Sequence, residues 1–261
     1  MRSEVLILLL SAVAGVIGTG IGGVLGAYVK DKSPSAVGDM LAFAAGIMLG
    51  VTAFEMLPEA VKIVDVFSMK IYGKLLVVAM AFSGVGIVAA INLVTERTSK
   101  NKRLESAKIK TSPCDNNLKR AGITTLVAIA LHNIPEGMAI GASGAGSLLA
   151  GIVVAIVIAL HNVPEGMAIS APLAGGGMKA GRAVLLAVSA GSATLVGAVI
   201  GVLVGGINAL ASGISVSFAS GVMIYVACFD LIPLSSKMKN SFASLAFFFG
   251  IATAMTFALL F

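Results

Sequence analysis

Two near-identical decapeptides carry most of the chemistry that this chain could perform. Residues 131–140 read LHNIPEGMAI and residues 160–169 read LHNVPEGMAI. Each places a glutamate four residues after a histidine, His132 with Glu136 and His161 with Glu165. On an α-helix such positions are about 40° apart around the axis, so each pair shares a face. Asn133 and Asn162 lie about 100° round from the histidines, at the flank of that face. Imidazole and carboxylate together form a ligand set for a first-row divalent metal, which zinc, iron and manganese all accept. Two glutamates also balance the charge of one divalent ion, removing much of the cost of burying each alone. A His–Glu pair that merely fixes helix packing is the plain alternative, and a proton relay through the same groups is another. The chain has only two histidines and both fall in the copied motif, which favours a metal over packing.

The elements that position these groups follow from composition. Of 261 residues, 58% are hydrophobic and 11% charged, less than half the charge of an average soluble domain. That excludes an ordinary soluble fold and also a disordered chain, which needs low hydrophobicity. The apolar runs are too long for the strands of a membrane barrel. The chain is therefore expected to be all-α, a polytopic membrane protein of eight transmembrane helices over about 5–29, 36–57, 73–94, 121–143, 147–171, 181–206, 213–234 and 241–260. They form a single transmembrane domain, residues 1–261, with one long basic connection, residues 95–120, between helices 3 and 4. Glu136 and Glu165 fall about midway along helices 4 and 5, where an ionised group is costly. Pro135 and Pro164 free the carbonyls of Leu131 and Leu160 and bend the two helices. Small residues such as Gly15, Gly18, Gly22, Gly197 and Gly201 read as close helix packing.

Orientation follows from the placement of Lys and Arg. With the N-terminus outside, the inner loops collect 14 of the 18 basic residues and the outer side 4, so both termini are expected on the extracytoplasmic side. The positive charge sits between apolar segments with no interleaved aromatics, so no nucleic-acid partner is expected and the lipid bilayer is. The decapeptides lie on consecutive, oppositely directed helices. A second match links Gly46-Ile47-Met48, Phe54-Glu55 and Pro58 of helix 2 to Gly221-Val222-Met223, Phe229-Asp230 and Pro233 of helix 7, always 175 residues apart. Helices 1–3 are thus expected to repeat as 6–8 and helix 4 as 5, inverted across the membrane. Glu55 and Asp230 hold matched places near opposite faces, so one could line the entrance of a transport pathway and the other its exit. Glu59, just past Pro58, reads as a solvated outer-loop residue.

At HNIPEG and HNVPEG the sequence resembles the ZIP (Zrt-, Irt-like protein) family of divalent metal transporters, and the likeness extends over nearly the whole chain. It includes Gly46-x-Met48 followed by Leu57-Pro58-Glu59-Ala60 in helix 2. The resemblance implies movement of divalent metal, zinc foremost with iron, manganese and cadmium as further candidates, toward the cytoplasm across the plasma (inner) membrane. It implies a homodimer, a metal carried as substrate rather than as a cofactor, and a site of His132, Asn133, Glu136, His161, Asn162 and Glu165, with Met48 of helix 2. Many relatives carry an acidic residue followed by proline in helix 6, where this chain has Thr194 and Leu195, and some have aspartate at Asn162. Both positions belong to a second metal site, so a single-ion site is expected here. Residues 95–120 contain no histidine, unlike the histidine-rich loops of many relatives. An intramembrane zinc metalloprotease is the enzyme alternative, but its H-E-x-x-H signature is replaced by H-N-x-P-E, which lacks the base. A proton-coupled transporter of a small solute is the remaining reading.

Overall fold

The computed structural model describes residues 2–28, 33–65, 70–105, 113–203, 209–238 and 242–260. Among these residues there is no strand. Eight helices are long and apolar enough to cross a membrane: α1 (Glu4–Tyr28), α2 (Ser35–Asp65), α3 (Ile71–Val94), α4 (Leu118–Ala145), α5 (Leu148–Gly175), α6 (Ala180–Leu203), α7 (Gly213–Ser236) and α8 (Ala243–Leu260). Several basic residues behind the orientation count, Lys30, Lys32, Lys108, Lys110 and Lys239, lie outside the described residues.

Two regions differ from expectation. The α3 helix runs on through Glu105 and the α4 helix starts at Pro113, so much of the basic connection is helical. A polar run without Gly or Pro has nothing to stop a helix already nucleated by an apolar one. The second difference is that α2 continues past Pro58 to Asp65. Thr52–Met56 form a π turn, closed by the Leu57 N–H on the Thr52 carbonyl five residues back. A proline ring clashes with the carbonyl four residues before it, and the wider turn relieves that clash, so the helix survives the proline. Glu59 is accordingly an exposed helical residue, 4.0 Å from Lys62, rather than a loop residue. The same device recurs in α7, where Val226–Leu231 form a π turn and the Ile232 N–H meets the Ala227 carbonyl just before Pro233.

Glycine contacts show how the helices meet. A Cβ on Gly22 of α1 would overlap the Val163 carbonyl of α5, and one on Gly197 of α6 would overlap the Ile134 carbonyl of α4. In return, Gly166 of α5 packs on the Thr19 carbonyl and Gly137 of α4 on the Thr194 carbonyl. Gly250 of α8 meets Phe43 and Ile47 of α2, and Gly84 of α3 meets Phe218 and Val222 of α7. The α1 and α2 residues in these contacts match those of α6 and α7 at the sequence offset of 175. Such glycines let backbones approach closely enough for Cα–H···O contacts, which supply association where lipid is as apolar as the helix surface. Helices α1, α4, α5 and α6 thereby form one packed group, with α2–α8 and α3–α7 pairs against it. α1 and α6 are not perfect copies. The Gly15–Gly191 crossing is offset by 176, because α6 is one residue shorter between Gly191 and Thr194 than α1 is between Gly15 and Thr19, at the interruption of α6 at Ser192.

Candidate metal centre

The helix of α4 runs on to Gly146, and a single residue joins it to α5. Ser147 has extended backbone angles (φ −154°, ψ 122°), and its hydroxyl accepts the Ala150 N–H at 3.4 Å. The resulting hairpin sets the two decapeptides side by side. Both helices pass through their motif prolines, Pro135 and Pro164, without interruption.

Glu136 is the hub of the cluster. Its Oε1 lies 2.8 Å from His132 Nε2 and 2.6 Å from His161 Nε2. The potential ligand atoms of these three residues lie within 4.8 Å of one another. His132 Nδ1 is 3.2 Å from the Ala219 carbonyl of α7. A carbonyl only accepts, so Nδ1 carries the proton, and Nε2 of a neutral ring presents a lone pair. That lone pair faces a carboxylate oxygen. Two acceptors at hydrogen-bond distance need a cation between them, either a proton or a metal ion. Fixing one ring nitrogen on a carbonyl so that the other can ligate is the usual outer-sphere arrangement of metal-binding histidines.

Glu165 Oε1 is 3.5 Å from His132 Nε2, and neither of its carboxylate oxygens has a hydrogen-bond partner, although the side chain is fully buried. Asn133 donates its amide to the Ala190 carbonyl of α6 at 3.0 Å, and Asn162 to the Ala14 carbonyl of α1 at 3.5 Å. Their Oδ1 atoms, with Glu136 Oε2 and His161 Nδ1, are buried without partners. Buried polar groups are ordinarily satisfied, so these atoms stand out from the rest of the interior. His132, Glu136, His161 and Glu165 therefore stand together, while Asn133 and Asn162 turn their amides to carbonyls of neighbouring helices.

The remaining expected residues are placed differently. Met48 is fully buried in the same apolar cluster as Ala45, Ile169 and Met223. Glu55, in the π turn of α2, is partly exposed, and its carboxylate acts electrostatically on His161. Asp230, in the π turn of α7, is instead held from outside its helix. Its Oδ1 accepts Asn92 Nδ2 of α3 at 3.0 Å, the same amide donates to Tyr225 Oη at 3.1 Å, and Arg120 near the start of α4 acts on it electrostatically. Sequence reasoning missed Asn92, Arg120 and the Ala219 carbonyl. Asn92 is a carboxamide within an apolar run, a signal that was there to be read. Ala219 contributes only backbone and left none.

The ZIP zinc transporter family model matches residues 94–258. The chain is 33% identical to the zinc transporter ZupT of Clostridium perfringens, covering 91% of this chain and 89% of that one. It is 33% identical to ZupT of Streptococcus mutans (88% and 87% covered) and 31% identical to ZupT of Chlorobium chlorochromatii (85% and 84%). The chain belongs to the ZIP family. As a ZIP protein it is a multi-pass integral membrane transporter rather than an enzyme, which removes the protease reading, and metal is its substrate rather than its cofactor.

Proposed function

We propose that this ZIP protein carries divalent transition-metal ions, zinc foremost, into the cytoplasm through the centre formed by His132, Asn133, Glu136, His161, Asn162 and Glu165. One observation carries the reading: Glu136 Oε1 stands between two imidazole Nε2 atoms at 2.8 and 2.6 Å, with His132 anchored through its other nitrogen. A tetrahedral zinc with bonds of about 2.1 Å separates its ligand atoms by about 3.4 Å. The His132–Glu165 spacing of 3.5 Å already suits that geometry, while the two shorter spacings open by about 0.7 Å when a metal replaces the shared proton. Two carboxylates balance one M²⁺, and Thr194 and Asn162 supply no further charge, which supports a single transition-metal ion. Iron, manganese and cadmium fit the same donors, and Met48, buried in the neighbouring apolar cluster, would have to turn toward the centre to add a soft ligand.

The same reading has the metal arrive past Glu55, on the side where His161 is partly exposed, and leave past Asp230. It places both termini outside the plasma (inner) membrane, treats the 175-residue correspondence as an inverted repeat, and takes the working protein as a homodimer. Uptake into proteoliposomes with a panel of zinc, iron, manganese and cadmium, with and without a pH gradient, tests it. Zinc uptake is expected, and His132→Ala or Glu136→Gln should abolish it while leaving the protein inserted. Undiminished uptake in both variants removes the assigned centre. Solute uptake that persists without any transition metal returns the His–Glu cluster to proton coupling.

A further inference from the structure

The correspondence between the two halves of the chain extends to individual contacts. Within the group α1, α4, α5 and α6, Gly22 meets Val163 and Gly166 meets Thr19. The residues matched to these, Gly197 with Ile134 and Gly137 with Thr194, meet in the same way. Outside that group, Gly46 meets Phe247 and Gly250 meets Phe43, just as Gly221 meets Ala81 and Gly84 meets Phe218. Apart from the one-residue offset at Gly15 and Gly191, each group thus repeats internally. A contact between the groups does not. His132 Nδ1–H of α4 donates to the Ala219 carbonyl of α7 at 3.2 Å. The matched pair is His161 of α5 and Ala44 of α2, because Phe43-Ala44-Ala45-Gly46-Ile47-Met48 corresponds to Phe218-Ala219-Ser220-Gly221-Val222-Met223. Ala44 is fully buried in the apolar cluster that also holds Ala168 and Ile169 of α5. His161 Nδ1, however, is buried without a partner.

Two frames that each repeat internally join in two equivalent ways, and the bond made in one arrangement is the bond vacated in the other. We propose that the imidazole anchor is exchanged: in the alternative arrangement His161 Nδ1–H donates to the Ala44 carbonyl, and His132 releases Ala219. The Ala44 carbonyl is then a positioning group for the metal centre. The proposal rests on the reading of the His–Glu cluster as the divalent centre and of the two halves as an inverted repeat. A ring held through Nδ1 presents its Nε2 lone pair at a fixed place, whereas a released ring is free to turn. In the arrangement described here the released ring is His161, which is partly exposed, while the anchored His132 is fully buried. The exchange keeps one ligating ring fixed at every stage and leaves the other on the open side. The anchored ring holds the ion and the released ring hands it over.

The chain has only two histidines, so isotopic labelling of histidine nitrogen in the full-length, zinc-free protein in lipid gives a magnetic-resonance spectrum of two rings. His161→Ala assigns them. An anchored ring is recognised by a hydrogen-bonded Nδ1 proton that exchanges slowly with water, and in the wild type His132 should show it. Replacing Ser220 by its α-hydroxy acid turns the Ala219 carbonyl into an ester carbonyl, a weaker acceptor, and the same replacement of Ala45 weakens the Ala44 carbonyl. The Ser220 ester should raise the ratio of anchored His161 to anchored His132 about five-fold, the worth of one neutral hydrogen bond. The Ala45 ester should lower that ratio by a similar factor. Each ester also removes one backbone N–H from its helix, so general loosening would move the two proteins alike rather than oppositely. In proteoliposomes the Ala45 ester should carry zinc several-fold more slowly, because the arrangement it disfavours is one the cycle must visit. A ratio that neither ester moves, or that both move in one direction, overturns the proposal. So does a wild-type spectrum in which both rings are anchored at once, a result that needs neither ester. A wild type that neither binds nor carries zinc sinks the function reading instead, and the ring spectra still decide the exchange.

Discussion

The HNIPEG and HNVPEG segments differ by one methylene, at Ile134 against Val163, yet they do different work. In α4, His132 is fully buried and locked on the Ala219 carbonyl, and Glu136 receives both imidazoles. In α5, the His161 side chain is 11% exposed with no partner on Nδ1, and Glu165 has no hydrogen bond on either oxygen. The matched partner for His161 is the Ala44 carbonyl of α2, 175 residues before Ala219, but that bond is not made. The α4–α7 seam is therefore tied through its histidine and the α2–α5 seam is not. Identical motifs fix which donors are present; the neighbouring helix decides whether a donor is anchored or free.

The sharpest test of this inequality is charge removal from each copy. Glu136→Gln should weaken zinc binding by more than about 100-fold, and Glu165→Gln, which removes a carboxylate close to only one imidazole, by about 10-fold. Isothermal titration of both variants decides it, and equal losses would mean that the two copies are functionally symmetric after all. The glycine contacts predict the opposite pattern, equality. Gly137→Ala and Gly166→Ala each force a methyl into a carbonyl of a neighbouring helix, and each should cost about 1–3 kcal/mol. Paired thermal or denaturant melts compare them, and a large difference would show that the packing frame does not repeat.

Acid should reduce zinc affinity as protons compete with the metal for both Nε2 atoms. In His161→Ala only the anchored ring is left to compete, so the pH profile should become shallower, which zinc titrations of variant and wild type over a series of pH values would reveal. The smallest effect belongs to the far end of α7. Asn92→Ala removes one hydrogen bond from Asp230 and should lower stability by about 1 kcal/mol while leaving zinc affinity unchanged. A shift in affinity would tie the Asp230 end directly to the centre.

Much of this was readable in the sequence because the bilayer makes polar residues informative. An apolar run of spanning length that contains His, Asn and Glu either wastes free energy or uses them, and the helical period then places them on one face. The eight spans were legible for the same reason. The end of α2 was not, because a proline normally ends a helix and only the backbone reveals the π turn that accommodates Pro58. Nor was the helical extension of α3, whose polar residues resemble a loop by composition. The anchoring of His132 was invisible because its partner is a main-chain carbonyl of Ala219, a residue type that signals nothing. Unequal duty for two equal motifs lies in tertiary contacts, beyond the reach of pattern.

The one-residue link at Ser147 also bears on how the protein is made. Every motif donor lies between His132 and Glu165, on a helical hairpin whose halves meet through local contacts. Such low-separation contacts form early and quickly, so the hairpin can assemble its ligands as it leaves the ribosome, before α6, α7 and α8 exist. Only later does α6 bring the Ala190 carbonyl to Asn133, and α7 that of Ala219 to His132. The donors are thus collected first and oriented last, and an ion captured early would help to hold together the half-built bundle that will later move it.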